Sequence, residues 1–127
     1  MPITALYASI LTVLAFLLAQ HVIKTRAKTN IALGDRGDDR LLEASRRQMN
    51  FVENVPLTVI LMLLAEAGGA ASTHLHIAGA ALVAARLIHP FGITVTRAAH
   101  PLRIGGAVAT NLVQLGLIIL LMLQQFA

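Results

Sequence analysis

The sequence predicts an all-α membrane protein, one domain over residues 1–127 in which four transmembrane helices run up, down, up and down. Three observations carry this. Of 127 residues, 57% are hydrophobic and 13% charged, where a soluble domain has about 25% charged, and mean hydropathy is +0.75. Four apolar segments, near residues 3–23, 46–67, 74–93 and 103–126, approach the ~20 helical residues that cross a bilayer core. The ten Lys and Arg residues all flank the first and third connections.

The first segment has no formal charge between Ile3 and Ile23. It lacks the basic leader of a signal peptide and is longer than such a peptide's apolar region, so it reads as a retained helix. The longest polar stretch comes next, "KTRAKTNIALGDRGDDRLLEAS". Its Gly34-Asp35-Arg36-Gly37-Asp38-Asp39 run is turn chemistry, and Asp38 or Asp39 can cap a helix beginning near Arg40. The ligand spacing of a calcium loop is absent from that acidic run.

Segments two and three are joined by Gly68-Gly69-Ala70-Ala71-Ser72-Thr73, short enough only for a tight antiparallel turn. Within segment three, Pro90 has no amide hydrogen to give, which predicts a bend there. The fourth segment carries small residues one turn apart, Gly105 with Ala109 and Gly106 with Thr110, which permit close helix approach. Asn111 and Gln114 are expected to hydrogen-bond across helices.

Lys24, Arg26, Lys28, Arg36, Arg40, Arg46 and Arg47 flank the first connection and Arg86, Arg97 and Arg103 the third, whereas the second has no cation. The positive-inside rule then sets connections one and three in the cytoplasm and both termini outside. Nucleic acid is not an expected partner, because base-stacking aromatics are scarce and the cations sit beside apolar spans. There is no cysteine, hence no disulfide and no nucleophilic thiol of the chain's own. His74 and His76 are two residues apart, which is not a helical ligand pair, and no metal is expected.

The second segment opens on "RRQMNFVENVP". Arg46, Asn50 and Glu53 share one helical face, and Arg47, Asn50 and Asn54 form an adjacent stripe. Glu53 lies roughly 10 Å along the helix from Arg46, inside the apolar zone. A carboxylate at mid-bilayer costs about 2.5 to 3.5 kcal/mol, so such groups face a partner or a wet cavity. Arg86 and His89, one turn apart on segment three, are expected at the same depth, making with Arg46 and Glu53 a cytoplasm-facing pocket suited to a zwitterion. The alternative is an ion pair of Glu53 with Arg46 or Arg86 that only fixes helix register. Surplus arginines favour an anionic guest.

That stretch resembles the signature of the MAPEG family, membrane-associated proteins in eicosanoid and glutathione metabolism. Arg46, Gln48, Asn50, Glu53 and Pro56 each fill a motif position. "VIKTR", "ALGDRGDD" and "ARLIHPFG" fall around it in the order seen in bacterial members. The resemblance implies a four-helix bundle that assembles as a homotrimer in a bacterial inner membrane. It implies glutathione as co-substrate, bound between subunits near the cytoplasmic side by Arg26, Arg46, Gln48, Asn50, Glu53 and Arg86 with His89 beside them. It makes Arg103, at the start of the fourth helix, the candidate for thiolate stabilisation. Asn54, His89 and Ile93 stand where well-known members carry tyrosines.

The leading expectation is therefore a membrane glutathione transferase that joins a thiolate to a lipophilic electrophile arriving from the bilayer. A second is a non-catalytic binder of a thiol or lipid, or a membrane scaffold, of the same family. A small four-helix multidrug exporter is a third. Such exporters resemble one another in an essential Glu of the first helix, and residues 3–23 contain no acidic residue.

Overall fold

The computed structural model describes residues 1–126. Helix α1 spans Pro2–Thr29, α2 Asp39–Ala67, α3 Ser72–Ile88 and α4 Pro101–Gln124, with a single 3₁₀ turn at His89–Gly92. All four spans, α3 counted together with its 3₁₀ turn, are long and apolar enough to cross a membrane. The helix ends obey local chemistry. Helix α1 stops at Asn30, which takes the left-handed conformation at φ 54°, one of the few non-glycine residues that tolerate it. Asp38 caps α2 as expected, its Oδ1 accepting the Leu41 N–H at 3.1 Å.

One boundary agrees with the expectation and one differs. Helix α2 begins at Asp39, where the cap predicted a start near Arg40, and its amphipathic first turns, ahead of the apolar segment at residue 46, bury Leu41 and Ala44 against Val22 of α1. Pro90 ends α3 instead of bending it. Proline has no N–H for the carbonyl four residues back, so α-helical bonding fails and the chain tightens into the 3₁₀ turn.

The start of α1 and the end of α4 lie beside the α2–α3 turn. The Ile3 and Thr4 amides donate to the Glu66 carboxylate at 3.1 and 2.8 Å, and Gln124 Nε2 donates to the Ala65 carbonyl at 3.1 Å. At the other end of the bundle Glu43 and Arg47 of α2 hold the α3–α4 connection. Connections one and three, and the cations flanking them, therefore share one end of an up-down-up-down bundle.

The core is layered along the bundle. Met62, Ala65, Leu75 and Leu117 fill the end near the termini, Leu11, Leu18, Phe51, Val55 and Leu82 the middle, and Val22, Leu41 and Ala44 the cationic end. Tyr7 of α1 lies so close to Gly79 of α3 that a Cβ there would overlap its ring. Large apolar side chains also point outward, Phe16 at 60% exposure and Leu112 at 62% among them. A lipid-solvated surface accounts for this; a water-solvated one does not. Gln114 bonds across helices as expected, its Nε2 donating to Thr58 Oγ1 of α2 at 2.8 Å. Asn111 is exposed and faces away from the bundle.

Candidate functional site: a cationic cavity under the α3–α4 connection

At the cationic end a cavity of about 320 Å³ opens between α2, the connection after α3 and the start of α4. Glu43, Arg46 and Asn50 line it from α2, Ile93 and Thr94 from the connection, and Arg103 from α4. Steps of three and four residues place the α2 side chains on one helical face. The position of Arg103 is set by two neighbours. His100 caps α4, its Nδ1 accepting the Leu102 N–H at 3.2 Å. Gly92 lets the 3₁₀ turn abut the Arg103 backbone, which a Cβ would overlap.

The connection is pinned over the cavity from both sides of Thr94. Arg47 Nη2 and Nε donate to the Ile93 carbonyl at 3.0 and 3.2 Å, and Glu43 Oε1 accepts the Val95 N–H at 2.9 Å. Glu43 Oε2 pairs with Arg47 Nη2 at 3.1 Å, with both side chains about a quarter exposed (23% each). The carboxylate on the cavity wall is thus already engaged.

Behind the wall lies a buried guanidinium. Arg86 is 2% exposed. Its Nη1 donates to Asn50 Oδ1 at 2.9 Å, its Nε to Thr110 Oγ1 at 2.9 Å and its Nη2 to Thr110 Oγ1 and, at 3.4 Å, to the Gly106 carbonyl. Every partner is neutral. With its Oδ1 taken by Arg86, Asn50 presents its amide N–H groups to the cavity. His89 is 3% exposed and packs on Gly106, where a Cβ would leave it no room.

The single-chain pocket expected from Arg46, Glu53, Arg86 and His89 needs correction. The cavity brings together Arg46, Asn50 and Arg103, whereas Arg86 and His89 are buried behind it and do not line it. Glu53 is exposed on the outer side of α2, about 160° round the helix from the buried Phe51 and Val55. The register-fixing pair with Arg46 or Arg86 does not form, since the ion pairs among the described residues are Arg40–Asp38 and Arg47–Glu43. Gln48 is half-buried and falls in register with the inward-facing Ala44, Phe51 and Val55. Arg26 folds back on its own chain, its Nη1 donating to the carbonyls of Ile31, Ala32 and Gly34 at 3.2, 3.2 and 3.0 Å. Sequence reasoning missed Glu43 and Thr94. Glu43 had a signal, three residues before Arg46 on the same face; Thr94 had none.

The sequence model of the MAPEG family matches residues 4–123. The chain belongs to the MAPEG family. It is also similar to the "Inner membrane protein YecN" of Escherichia coli, in strain K12 and in strain O6:H1, with 37% identity over 90 residues, 71% of this chain and 69% of each relative. No solved structure matches it. The MAPEG assignment agrees with the four membrane-spanning helices and covers the whole cavity wall, from Leu42 to Arg103.

Proposed function

We propose that this MAPEG protein binds glutathione, or a similar thiol peptide, at the cationic cavity and joins its thiolate to a lipophilic electrophile delivered by the bilayer. One observation carries the reading. Arg46 and Arg103 face a cavity whose carboxylate, Glu43, is already paired with Arg47 and the Val95 amide. A site with cations to spare fits a guest that brings carboxylates.

In this reading Arg46 and the Asn50 amide hold a guest carboxylate. Arg86 acts through Asn50, fixing which end of its amide faces the guest. Arg103 stands beside the thiol. A free thiol with pKa near 8.5 is mostly protonated at pH 7, and an adjacent guanidinium raises the thiolate fraction. The thiolate sulfur then attacks the electrophilic carbon, the carbon's leaving group departs with the bonding pair, and the thiol proton passes to solvent.

The exposed Glu53 supports a site completed by a neighbouring copy. A carboxylate that far inside an apolar helix needs a partner, and none is present in its own chain among the described residues. In a homotrimer it would take the guest's ammonium, with Arg26 and Gln48 joining from the family pattern and His89 backing the wall. The name of the Escherichia coli relatives supports an inner-membrane location, and the clustered cations support a cytoplasmic opening.

Conjugation of glutathione to a chloronitrobenzene by the purified protein tests the enzyme. Turnover is expected, falling about tenfold or more in Arg103→Ala. One observation favours a second reading, a non-catalytic binder of the same family: Ile93 lines the cavity and His89 is buried, so neither phenol nor imidazole faces the guest. Glutathione binding without turnover in the wild type would select that reading.

A further inference from the structure

Three ionisable side chains line the cavity, Glu43 and Arg46 from α2 and Arg103 from α4. Glu43 and Arg46 stand three residues apart, a spacing at which opposite charges on a helix meet. Paired with each other they would leave the wall a single free guanidinium. Arg47 prevents this from outside the cavity lining. Its Nη2 takes Glu43 Oε2 at 3.1 Å, while the Val95 N–H donates to Oε1 at 2.9 Å. Arg47 is itself anchored, its Nε and Nη2 donating to the Ile93 carbonyl at 3.2 and 3.0 Å. Serving a carbonyl and a carboxylate at once suits the planar fork of arginine better than the compact ammonium of lysine. Neither Arg46 nor Arg103 is in an ion pair among the described residues. A part-exposed pair one turn apart adds little stability, so its larger consequence is for the charge of the wall.

We infer that Arg47 is a specificity-determining residue of this cavity that does not touch the guest. It neutralises Glu43, leaves Arg46 and Arg103 free, and so selects a guest of net negative charge over one of similar shape with fewer negative charges. This rests on the reading of the cavity as a site for a carboxylate-bearing thiol peptide. It gives a role to the second arginine of "RRQMNFVENVP", which fills none of the recognised motif positions. Without Arg47, Glu43 is an uncompensated carboxylate on the wall. Whether it then turns to Arg46 or stays on the Val95 amide, the wall loses one positive charge, and its attraction for an anion falls accordingly.

The test is calorimetric titration of the detergent-purified full chain with glutathione and with its monoethyl ester, which carries one negative charge fewer. Wild type, Arg47→Met, Glu43→Gln and the double variant are compared. Arg47→Met keeps an unbranched side chain and removes its charge. Its dissociation constant for glutathione is expected to rise about tenfold, the effect of one charge-assisted contact, with a smaller rise for the ester. Adding Glu43→Gln restores the charge balance and should return glutathione binding to within about threefold of wild type, although the bonds from Arg47 to the Ile93 carbonyl stay lost. Glu43→Gln alone should bind glutathione at least as tightly as wild type and widen its preference over the ester.

Wild-type binding with Arg47→Met unchanged would overturn the inference and leave the proposed function standing. No wild-type binding would overturn both. A loss in Arg47→Met that Glu43→Gln does not restore would reduce Arg47 to a structural tie on the α3–α4 connection and overturn the inference. Should Arg47→Met not fold, as read by melting temperature and oligomer mass, Glu43→Gln decides alone. A widened preference for glutathione over the ester supports the inference, and a loss of about tenfold there would mean that Glu43 itself holds the guest and would overturn it.

Discussion

Replacing Thr110 by valine asks how strongly the buried guanidinium of Arg86 depends on neutral partners. Thr110 is fully buried at 0% exposure. Its hydroxyl is the acceptor for Arg86 Nε at 2.9 Å and the nearer acceptor for Nη2, while itself donating to the Gly106 carbonyl at 2.8 Å. Valine has nearly the same shape, so the change isolates the hydrogen bonds. It leaves Arg86 with Asn50 Oδ1 at 2.9 Å and a long contact to the Gly106 carbonyl at 3.4 Å, and Nε with no acceptor. A guanidinium stays protonated in proteins, so the charge remains. An unpaired buried donor costs about 1 to 3 kcal/mol, more when charged, and we expect Thr110→Val to destabilise the bundle by about 2 to 3 kcal/mol.

The assay is reversible unfolding in mixed micelles, monitored by circular dichroism, of Thr110→Val, Arg86→Met and the double variant. If the cost is an unpaired charge, removing Arg86 removes it, and the double variant should be more stable than the sum of the singles by about 1 kcal/mol or more. Neutral interhelical hydrogen bonds in membranes average only about 0.6 kcal/mol. A Thr110→Val loss below about 0.5 kcal/mol, or strict additivity with Arg86→Met, would refute the claim that this guanidinium is held in a low-dielectric site.

The packing and the caps set three other expectations. Gln114→Leu removes a neutral α2–α4 hydrogen bond and should cost no more than about 1.7 kcal/mol in the same assay. Gly79→Ala drives a methyl into the Tyr7 ring and should cost about 1 to 3 kcal/mol, partly recovered by adding Tyr7→Ala. The Arg40 guanidinium beside Asp38, together with the Leu41 N–H, holds the Asp38 carboxyl below the usual carboxylate range. A carboxyl lowered on folding supports the fold above its unfolded value and loses that support as pH falls through the folded one. Hydrogen-exchange protection at the first turn of α2 should therefore be constant from pH 5 to 8 and fall below about pH 4.

Much of the bundle was legible because length and apolarity alone set membrane spans, and because Asp38 and the Gly68-Gly69 turn are strong local signals. The start of α2 was legible from that cap and not from hydropathy, since its amphipathic first turn lies outside the apolar stretch. Pro90 was recognised, but whether a proline bends or ends a helix depends on how the chain beyond it packs, here as a 3₁₀ turn seated against α4. The candidate site was half legible. Helical spacing correctly put Arg46 and Asn50 on one face; the direction of that face relative to the bundle is set by tertiary packing, which buries Phe51 and Val55 and leaves Glu53 outside. Arg86 was read as a ligand contact because its charge was visible, whereas the hydroxyl of Thr110 that draws it inward looked like one small residue among several. Thr94 carries no spacing at all, and only the fold brings it beside Arg46 and Arg103.

Whether the cavity of Arg46, Asn50 and Arg103 holds a carboxylate-bearing thiol is decided by calorimetric binding of glutathione to the detergent-purified protein, paired with its oligomer mass. Saturable binding by a trimer is expected, weakened about tenfold or more in Arg46→Ala and in Glu53→Gln. Absence of binding by a folded wild-type trimer, or binding indifferent to Arg46, would contradict the proposed site.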